Sequence, residues 1–431
     1  MGSASEGHRP FFGYLVVAAL VMTSFMPLSL ALSCAGIFYA PVAAELGTGV
    51  GTMSYYTSIM WGTSLFVLPT LGRALDKLDA RICVSAAVCV IALMFVWLSQ
   101  VRALWQFFAA AVVMGFSLTM LLFLAPSTLV NRWFSQRAGF FIGIIMAFTG
   151  VGGVVWSAVG GVLIQQIGWQ ATYLAFAGLS LLTLPFSIFC VASRPEDKGL
   201  LPYGFAPQEG APAEAPVERG MSCQEAFRSP LFFLIVAACF TLNMGMYVYF
   251  VIPGFASTLE VSAAMPLLGA FASSAAMAGQ TLSKLVLGYV ADRRPHLGAI
   301  GAVLLGLLGL GMLASSKLIN AGALLFCAGA FAYGIFYGVT NVMMPAFTVR
   351  AFGVREYPKI YARVSMAASV SAAVSGFLWG TIIDSFGFGP MFAGIAAFMV
   401  ATVLLFAAMR AAERRLAPQG PSPEHSDPGM A

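Results

Sequence analysis

Long runs of apolar residues alternate with short clusters of charged residues along the whole chain. Twelve of these runs are close to the roughly 20 residues that a helix needs to cross the hydrocarbon core of a bilayer. The pattern predicts helices at residues 12–38, 52–71, 82–99, 103–128, 138–165, 169–192, 230–257, 264–290, 297–315, 319–347, 360–383 and 389–410, numbered below as spans one to twelve. The predicted fold class is an all-α membrane protein with 12 transmembrane helices.

The polar segments divide the chain into four predicted regions. Residues 1–192 form an N-terminal six-helix bundle, and residues 230–416 form a C-terminal six-helix bundle. Between them, residues 193–229 carry five prolines among charged residues, a composition that buries little apolar surface and predicts an irregular linker. Residues 417–431 have the same character and predict a disordered tail.

Composition excludes several classes of protein. The 431 residues are 60% hydrophobic and 9% charged, which is too apolar for a soluble fold. Six of the seven cysteines lie inside apolar runs, and neither a metal-binding spacing nor a catalytic set of nucleophile, base and acid is visible. The chain is therefore expected not to be an enzyme and to need no cofactor or metal ion.

The basic residues indicate the orientation in the membrane. Of the 22 Lys and Arg residues, 19 fall on the side of the N-terminus, and only Arg102 and Lys317 fall on the other side. By the positive-inside rule, both termini are cytoplasmic, with the cell (inner) membrane as the expected location. This distribution fits lipid headgroups and not a nucleic-acid partner. Among the acids, Glu45, Glu260 and Asp384 lie at outer ends of spans, and none lies near a span centre.

The two halves of the chain carry the same loop motif. Gly72, Asp76 and Lys77 follow span two, and Gly288, Asp292 and Arg293 follow span eight, 216 residues later. The pattern G-x-x-x-D-[RK] resembles the cytoplasmic signature of the major facilitator superfamily (MFS). That resemblance implies two pseudo-symmetric six-helix bundles with the substrate between them near the midplane. The motif is expected to act as a gate latch; the alternative is a charged turn that only fixes topology.

Further residues resemble one branch of that superfamily. They are residues 36–41 (GIFYAP), 45–47 (ELG), 133–139 (WFSQRAG) and 194–197 (RPED), which look like the monocarboxylate and oxalate/formate transporters. The resemblance implies that span eight carries an Arg, four residues before the loop glycine, which binds the substrate carboxylate. This chain has Lys284 at that position, and residues 366–371 lack the span-eleven Lys of the oxalate carriers. Lys is a point charge without the planar two-pronged grip of a guanidinium.

Lys284 is the basic residue that no loop accounts for. A charged Lys in mid-bilayer costs about 2.5–3.5 kcal/mol on insertion scales, so such residues usually face a cavity and serve function. We predict that Lys284 binds a carboxylate, and one cation suits a monoanion better than a dianion. The alternative is that its side chain reaches down to the cytoplasmic surface.

Other polar residues share helix faces that are predicted to line the same cavity. Gln280 lies one turn from Lys284 in span eight. The remaining candidates are Tyr333, Tyr337 and Asn341 in span ten and Asn243 and Tyr247 in span seven. The alternative for each is a hydrogen bond that only joins helices. Small residues form faces for close helix packing at Gly139, Gly143, Gly150, Gly152 and Gly153 in span five and around Gly376 in span eleven.

These features predict a secondary active transporter that moves a small organic anion, a monocarboxylate by resemblance, by alternating access. Proton symport and anion exchange both fit, so protons are a candidate partner beside the anion and the lipid bilayer. A monomer is expected to be the functional unit. The alternatives are an exporter of drug-like or neutral solutes, and a non-transporting membrane sensor on the same fold.

Overall fold

A computed structural model describes residues 11–134, 137–203, 220–317, 322–353 and 355–416. Every regular element within these ranges is a helix, in agreement with the predicted fold class. The first ten residues and the predicted tail, 417–431, lie outside the described residues.

The first half of the chain contains spans one to six. Several of these spans are divided into consecutive helical segments. Span one comprises Phe12–Thr23, Ser24–Leu28, Ser29–Leu32 and Ala35–Leu46; span two comprises Val50–Met53 and Tyr55–Lys77; span three is Ala80–Leu98; span four comprises Leu104–Leu118, Thr119–Leu124 and Ala125–Trp133; spans five and six lie within Ala138–Leu181 and Leu184–Cys190.

The second half repeats this arrangement with fewer breaks. Span seven comprises Pro230–Gly245 and Val248–Ala256; after the short helix Val261–Ala264, spans eight to twelve are Leu268–Arg293, Pro295–Ser315, Ala323–Phe352, Tyr357–Phe386 and Phe388–Leu416. The predicted spans are all found as helices, and most extend some residues beyond their predicted ends. Span one is the largest case, because the helix resumes at Ala35 and ends only at Gly47, which has a positive φ of 64°.

Nine helical stretches in the described residues are long and apolar enough to cross a membrane. One of them, Gly139–Cys190, contains both span five and span six. The two spans are separated at Gly168, where the backbone leaves the helical conformation with φ 79° and ψ 165°. Spans two and eight are not among the nine, although their main helices have 23 and 26 residues. Their serine, threonine, glutamine and lysine residues lower their hydropathy, so the count of twelve spans stays a prediction.

Two segments of spans one and four are wound as π-helix. In span one the π-segment Ser24–Leu28 contains Pro27, and in span four the π-segment Thr119–Leu124 ends two residues before Pro126. A proline removes one backbone donor and crowds the preceding turn, which favours such local rewinding. The carbonyl of Phe25, within the first of these segments, accepts a hydrogen bond of 2.9 Å from the Trp156 indole of span five. Side chains of neighbouring spans thus satisfy backbone groups that the lipid could not satisfy.

The composition of the linker predicted an irregular segment, but the described part of the linker contains two short helices. Pro195–Lys198 forms one turn of 3₁₀ helix, and Cys223–Arg228 forms a short α-helix. The second helix begins at a reciprocal cap in which Ser222 and Glu225 bind each other's backbone N–H groups. This S-x-x-E pattern is present in the sequence, and it stabilises a helix start even in a polar segment.

The described ends of the linker attach to the ends of spans four and ten. The Tyr203 N–H donates to the Trp133 carbonyl at 2.9 Å, and the Met221 N–H donates to the Phe352 carbonyl at 2.8 Å. The aromatic rings of Phe11 and Tyr203 lie 5.7 Å apart, so the start of span one is at the same level. We call this end of the molecule the linker face and the other end, which carries Glu45, Gly51 and Asp384, the distal face.

Candidate functional site

Spans two and eleven join the two halves near the distal face. A Cβ added to Gly51 would collide with the Gly380 carbonyl oxygen, and one added to Gly376 would collide with the Ser58 hydroxyl. The Tyr55 and Thr381 hydroxyls are 2.7 Å apart. Contacts this close require the small residues that the sequence places here.

Spans five and eight form the second junction, also toward the distal face. A Cβ added to Gly161 would collide with Ala270, and one added to Gly150 would collide with the Thr281 hydroxyl. The predicted packing role of Gly150 and Gly153 is therefore seen against span eight, whereas Gly152 packs on span one beside Phe25 and Ser29.

Between these junctions, two buried tyrosines of span seven contact spans one and two of the first half. The Tyr249 hydroxyl donates to the Ser33 carbonyl, and the Tyr247 hydroxyl donates to the Ser54 hydroxyl, each from the second half to the first. A Cβ on Gly36 would collide with the Phe250 carbonyl oxygen, which shows how closely the two backbones approach. Spans one and seven are therefore in close contact between the two junctions.

Toward the linker face the same helices separate. A Cβ added to Gly139, Gly143 or Gly288 would have no atom within 4 Å, although these glycines continue the faces that make the close contacts. The close contacts between the halves thus lie over the distal part of spans two, five, eight and eleven, whereas spans five and eight have open space beside these three glycines nearer the linker face. We call this space beside spans five and eight the opening on the linker face.

Lys284 lies where spans five and eight begin to diverge. It lies on the same face of span eight as Met277, Thr281 and Gly288, which are three to four residues apart in sequence. On this face Met277 and Thr281 contact span five. The side chain is half-buried. Within the described residues it has neither an ion pair nor a hydrogen bond. Lys284 is therefore an unpaired cation at the inner end of the opening.

The structure divides the other predicted site residues into two groups. Gln280 is buried one turn from Lys284, Tyr337 is half-buried with its ring 5.9 Å from that of Tyr249, and Asn341 is exposed on span ten. These three side chains remain candidates for the wall of the opening.

Three predicted cavity residues are instead occupied by contacts within the protein. The Tyr333 hydroxyl donates to the Gly245 carbonyl inside the second half, and Tyr247 donates to Ser54 across the interface, as described above. The Asn243 amide donates to the Cys239 carbonyl at 2.8 Å, although its side chain stays partly accessible. For Tyr333 and Tyr247 the structure favours the helix-joining role over a free cavity wall, because both hydroxyls are buried and bonded.

The repeated loop motif is described only in part. Gly72 and Lys77 end span two, and Gly288 and Arg293 end span eight, all on the linker face. The guanidinium of Arg293 lies 4.5 Å from the centre of the Tyr289 ring. The side chains of Asp76 and Asp292 lie outside the described part of the structure, so the latch role stays a prediction.

Asp384 contacts the opposite half, although the sequence placed it only at an outer helix end. Its carboxylate accepts hydrogen bonds from the N–H groups of Gly51, at 2.9 Å, and Thr52, at 2.7 Å, and also from the Thr52 hydroxyl. The G-x-x-x-D spacing from Gly380 to Asp384 was the available signal, because it sets the carboxylate one turn beyond a glycine that allows close approach.

A separate cavity of about 470 Å³ opens on the distal face between the halves. Its walls come from spans one, five, seven and eight and include Pro41, Gln165, Pro253, Ser257, Ser262 and Pro266. No Lys, Arg, Asp or Glu of the described residues lines it. Within the described residues no group of three or more His, Cys, Asp or Glu side chains is placed to hold a metal ion.

Comparison with known proteins gives the family. The model of the Major Facilitator Superfamily matches residues 21–318 and 268–428, which together cover most of the chain. The chain is 24% identical over 277 residues to the MFS-type transporter pynF of Aspergillus niger, which is 63% of this chain and 57% of that protein. It is 24% identical over 245 residues to the uncharacterized MFS-type transporter YhjX of Escherichia coli, 56% of each. The matched regions thus span a little over half the length of these relatives.

Solved structures show the same fold. The nucleoside transporter NupG aligns with a TM-score of 0.69 at 15% identity, covering 92% of this chain and 99% of that chain. A bacterial homologue of the human lysosomal transporter Spinster, in an inward-facing and unoccupied conformation, aligns with a TM-score of 0.65 at 16% identity, covering 94% and 97%. With its all-helical fold, its two joined halves and a family match over most of its length, this chain belongs to the Major Facilitator Superfamily of transporters.

Proposed function

We propose that the protein is a secondary active transporter that carries a small organic monoanion by alternating access, with Lys284 as the anchor for the carboxylate. In this proposal the linker face is cytoplasmic, as the basic residues predict, and the structure is the state open to the cytoplasm of a cell (inner) membrane. Gln280, Tyr337 and Asn341 complete the wall against which the anion binds.

The observation that supports this proposal is the unpaired, half-buried ammonium of Lys284 beside the opening. Removing a charge from water without a partner is costly, and a bound carboxylate supplies the missing counter-charge. A neutral solute would leave the ammonium unpaired. A single cation also balances one carboxylate and not two, which favours a monocarboxylate.

The names of the similar proteins do not narrow the substrate. NupG is described as a nucleoside transporter, but an identity of 15% carries the fold alone. The proposal of a monocarboxylate substrate is supported by the sequence resemblance and by Lys284.

Counterflow in proteoliposomes tests the proposal. Purified protein would be reconstituted in vesicles loaded with each member of a panel of unlabelled short-chain monocarboxylates, and uptake of the same labelled anion would be measured. We expect one or more anions to exchange. Lys284→Ala should lower that exchange about tenfold or more, because it removes a charge-assisted contact. Lys284→Arg should retain part of it, since the charge stays but its geometry changes.

Lys359→Ala is the matched control, because Lys359 is an exposed cation of span eleven that is already paired with Glu356 at 2.6 Å. Its exchange rate should equal that of the unmodified protein. Unchanged exchange in Lys284→Ala would refute the anchor role and remove the main support for an anionic substrate. Repeating the assay with and without a pH gradient separates proton symport, which the gradient accelerates, from anion exchange, which it leaves unchanged.

A further inference from the structure

The two halves place different residues at equivalent positions of the distal face. Gly168 follows span five and Gly387 follows span eleven, 219 residues later, and both have a positive φ, of 79° and 83°. The same offset relates Gly161 to Gly380 and Gln165 to Asp384. Asp384 and Gln165 therefore occupy equivalent positions in the two halves. Asp384 lies one turn after Gly380, which contacts span two, and Gln165 lies one turn after Gly161, which contacts span eight.

On the side of spans two and eleven, this position holds the interface closed. Both carboxylate oxygens of Asp384 are bonded to the first turn of span two, one to the Gly51 N–H and the other to the N–H and hydroxyl of Thr52. The first N–H groups of a helix have no partner within the helix, so a carboxylate there satisfies them and interacts favourably with the helix dipole. A Cβ at Gly49 would collide with this carboxylate, so the fit is close as well.

On the side of spans five and eight, the same position faces empty space. Gln165 is exposed and lines the 470 Å³ cavity together with Leu267, at the start of span eight. The nearest crossing, between Gly161 and Ala270, is a contact of small apolar groups. On the distal face the halves are thus joined by hydrogen bonds where spans two and eleven meet, and have a cavity between them where spans five and eight meet.

From this asymmetry we infer that Asp384 is the latch of the distal face. Its contacts with Gly51 and Thr52 exist only while the first half and span eleven are together, so they stabilise the state that is open to the linker face. Their release permits the distal face to open. The inference rests on alternating access, which is part of the proposed function, but not on the identity of the substrate or on Lys284.

The test measures the distance between the halves on the distal face. Spin labels would be attached at Ala44, an exposed residue of span one, and at Gly389, where a Cβ has no atom within 4 Å, in a full-length protein without other cysteines. Pulsed electron paramagnetic resonance then gives the populations of short and long distances. Asp384→Ala and the isosteric Asp384→Asn should raise the ratio of long to short distances about tenfold. Thr52→Ala, which leaves the two backbone donors in place, should raise it less.

Gln165→Ala is the matched control, because it truncates the equivalent position where no contact between the halves is made. It should leave the distance populations unchanged. If both Asp384 variants keep the populations of the unmodified protein, or if Gln165→Ala shifts them equally, the latch is refuted. Asp384→Asn keeps the side-chain volume, so it serves even if the alanine variant does not fold. Loss of the Lys284 effect in counterflow would refute the anion anchor and leave this result intact.

Discussion

Tyr249 donates its hydroxyl hydrogen bond to the carbonyl of Ser33, a residue that lies 216 positions earlier in the chain. The bond joins span seven of the second half to span one of the first half, and both residues are buried. It is therefore one of the contacts that hold the two halves together in this state.

Tyr247 and Tyr249 are expected to influence which of the two transport conformations is populated, in addition to the stability of the folded protein. Tyr247→Phe and Tyr249→Phe each remove a buried hydrogen bond between the halves, which is a loss of about 1–2 kcal/mol. Because these bonds are made in the state open to the linker face, each variant should increase the long-distance population of labels at Ala44 and Gly389.

Tyr333→Phe is the control for those variants, since the Tyr333 hydroxyl bonds to Gly245 within the second half. It should lower the melting temperature of the purified protein by a similar amount without changing the distance populations. If all three variants shift the populations alike, the effect is a general loosening and the role of the interface is wrong.

Replacing Lys284 by methionine is expected to stabilise the protein while it impairs transport. The ammonium is half-buried without a partner in the described residues, and an apolar side chain of similar length does not carry its desolvation cost. The expected gain is about 1–3 kcal/mol, measured as a higher midpoint of thermal unfolding in detergent. A lower midpoint would mean that Lys284 is satisfied in the folded protein and is not waiting for a ligand.

Gly143 should be essential for motion although nothing touches it in this state. A Cβ at Gly143 meets no atom within 4 Å, so Gly143→Leu should fold normally here. Closure of the linker face brings span five toward span eight, and the leucine would then stand between them. We expect a loss of counterflow of about tenfold or more, with an unchanged melting temperature.

Gly301→Leu is the matched control for Gly143→Leu. Gly301 is also a helical glycine with no atom within 4 Å of its Cβ position, but it lies in span nine, which in the described residues packs mainly on spans eight, ten and twelve of the second half. Its counterflow should stay normal. Normal counterflow in Gly143→Leu would show that the linker face does not close against this part of span five.

The attachment of the linker to span eleven should weaken in acid. The Glu356 carboxylate accepts hydrogen bonds from Lys359 and from the Cys223 N–H, at 2.6 Å each, and these bonds hold the pKa of Glu356 below its ordinary value of 4.5. A carboxylate with a lowered pKa adds stability above its unfolded pKa, and that stability is lost as the pH falls through the folded pKa. The protection of the Cys223 amide hydrogen, meaning the ratio of the exchange rate of an unfolded chain to the observed rate at the same pH, should therefore decrease below about pH 4.5.

Glu356→Gln should show fast exchange of that amide already at pH 7, because the charged acceptor is absent. Glu225→Gln perturbs the same short helix through its own cap and should not reproduce the acid response, since Glu356 is intact. Slow exchange at Cys223 in Glu356→Gln at neutral pH would refute this account of the attachment.

Sequence reasoning found the helices because hydropathy and bilayer thickness determine them with little tertiary influence. It also singled out Lys284, since one charge in an apolar helix is conspicuous in any sequence, and its role as the anion anchor stays a prediction. It could not separate Tyr333 and Tyr247 from Tyr337, because helical spacing gives the face of a residue but not what stands opposite. Asp384 was overlooked for a related reason: an acid at a helix end is ordinary until the helix that it faces is known.

Spans two and eight have a consequence for how the chain enters the membrane. Both carry polar side chains, including Lys284 in span eight, and both fall outside the nine stretches of the described residues that are long and apolar enough to cross a membrane. We expect each to need neighbouring helices for insertion, and span eight packs most extensively on span ten, which is made later. A chain that ends after span eight should be held at the translocon or degraded. The polar side chains that lower the hydropathy of spans two and eight thus make the insertion of these spans depend on other helices of the chain.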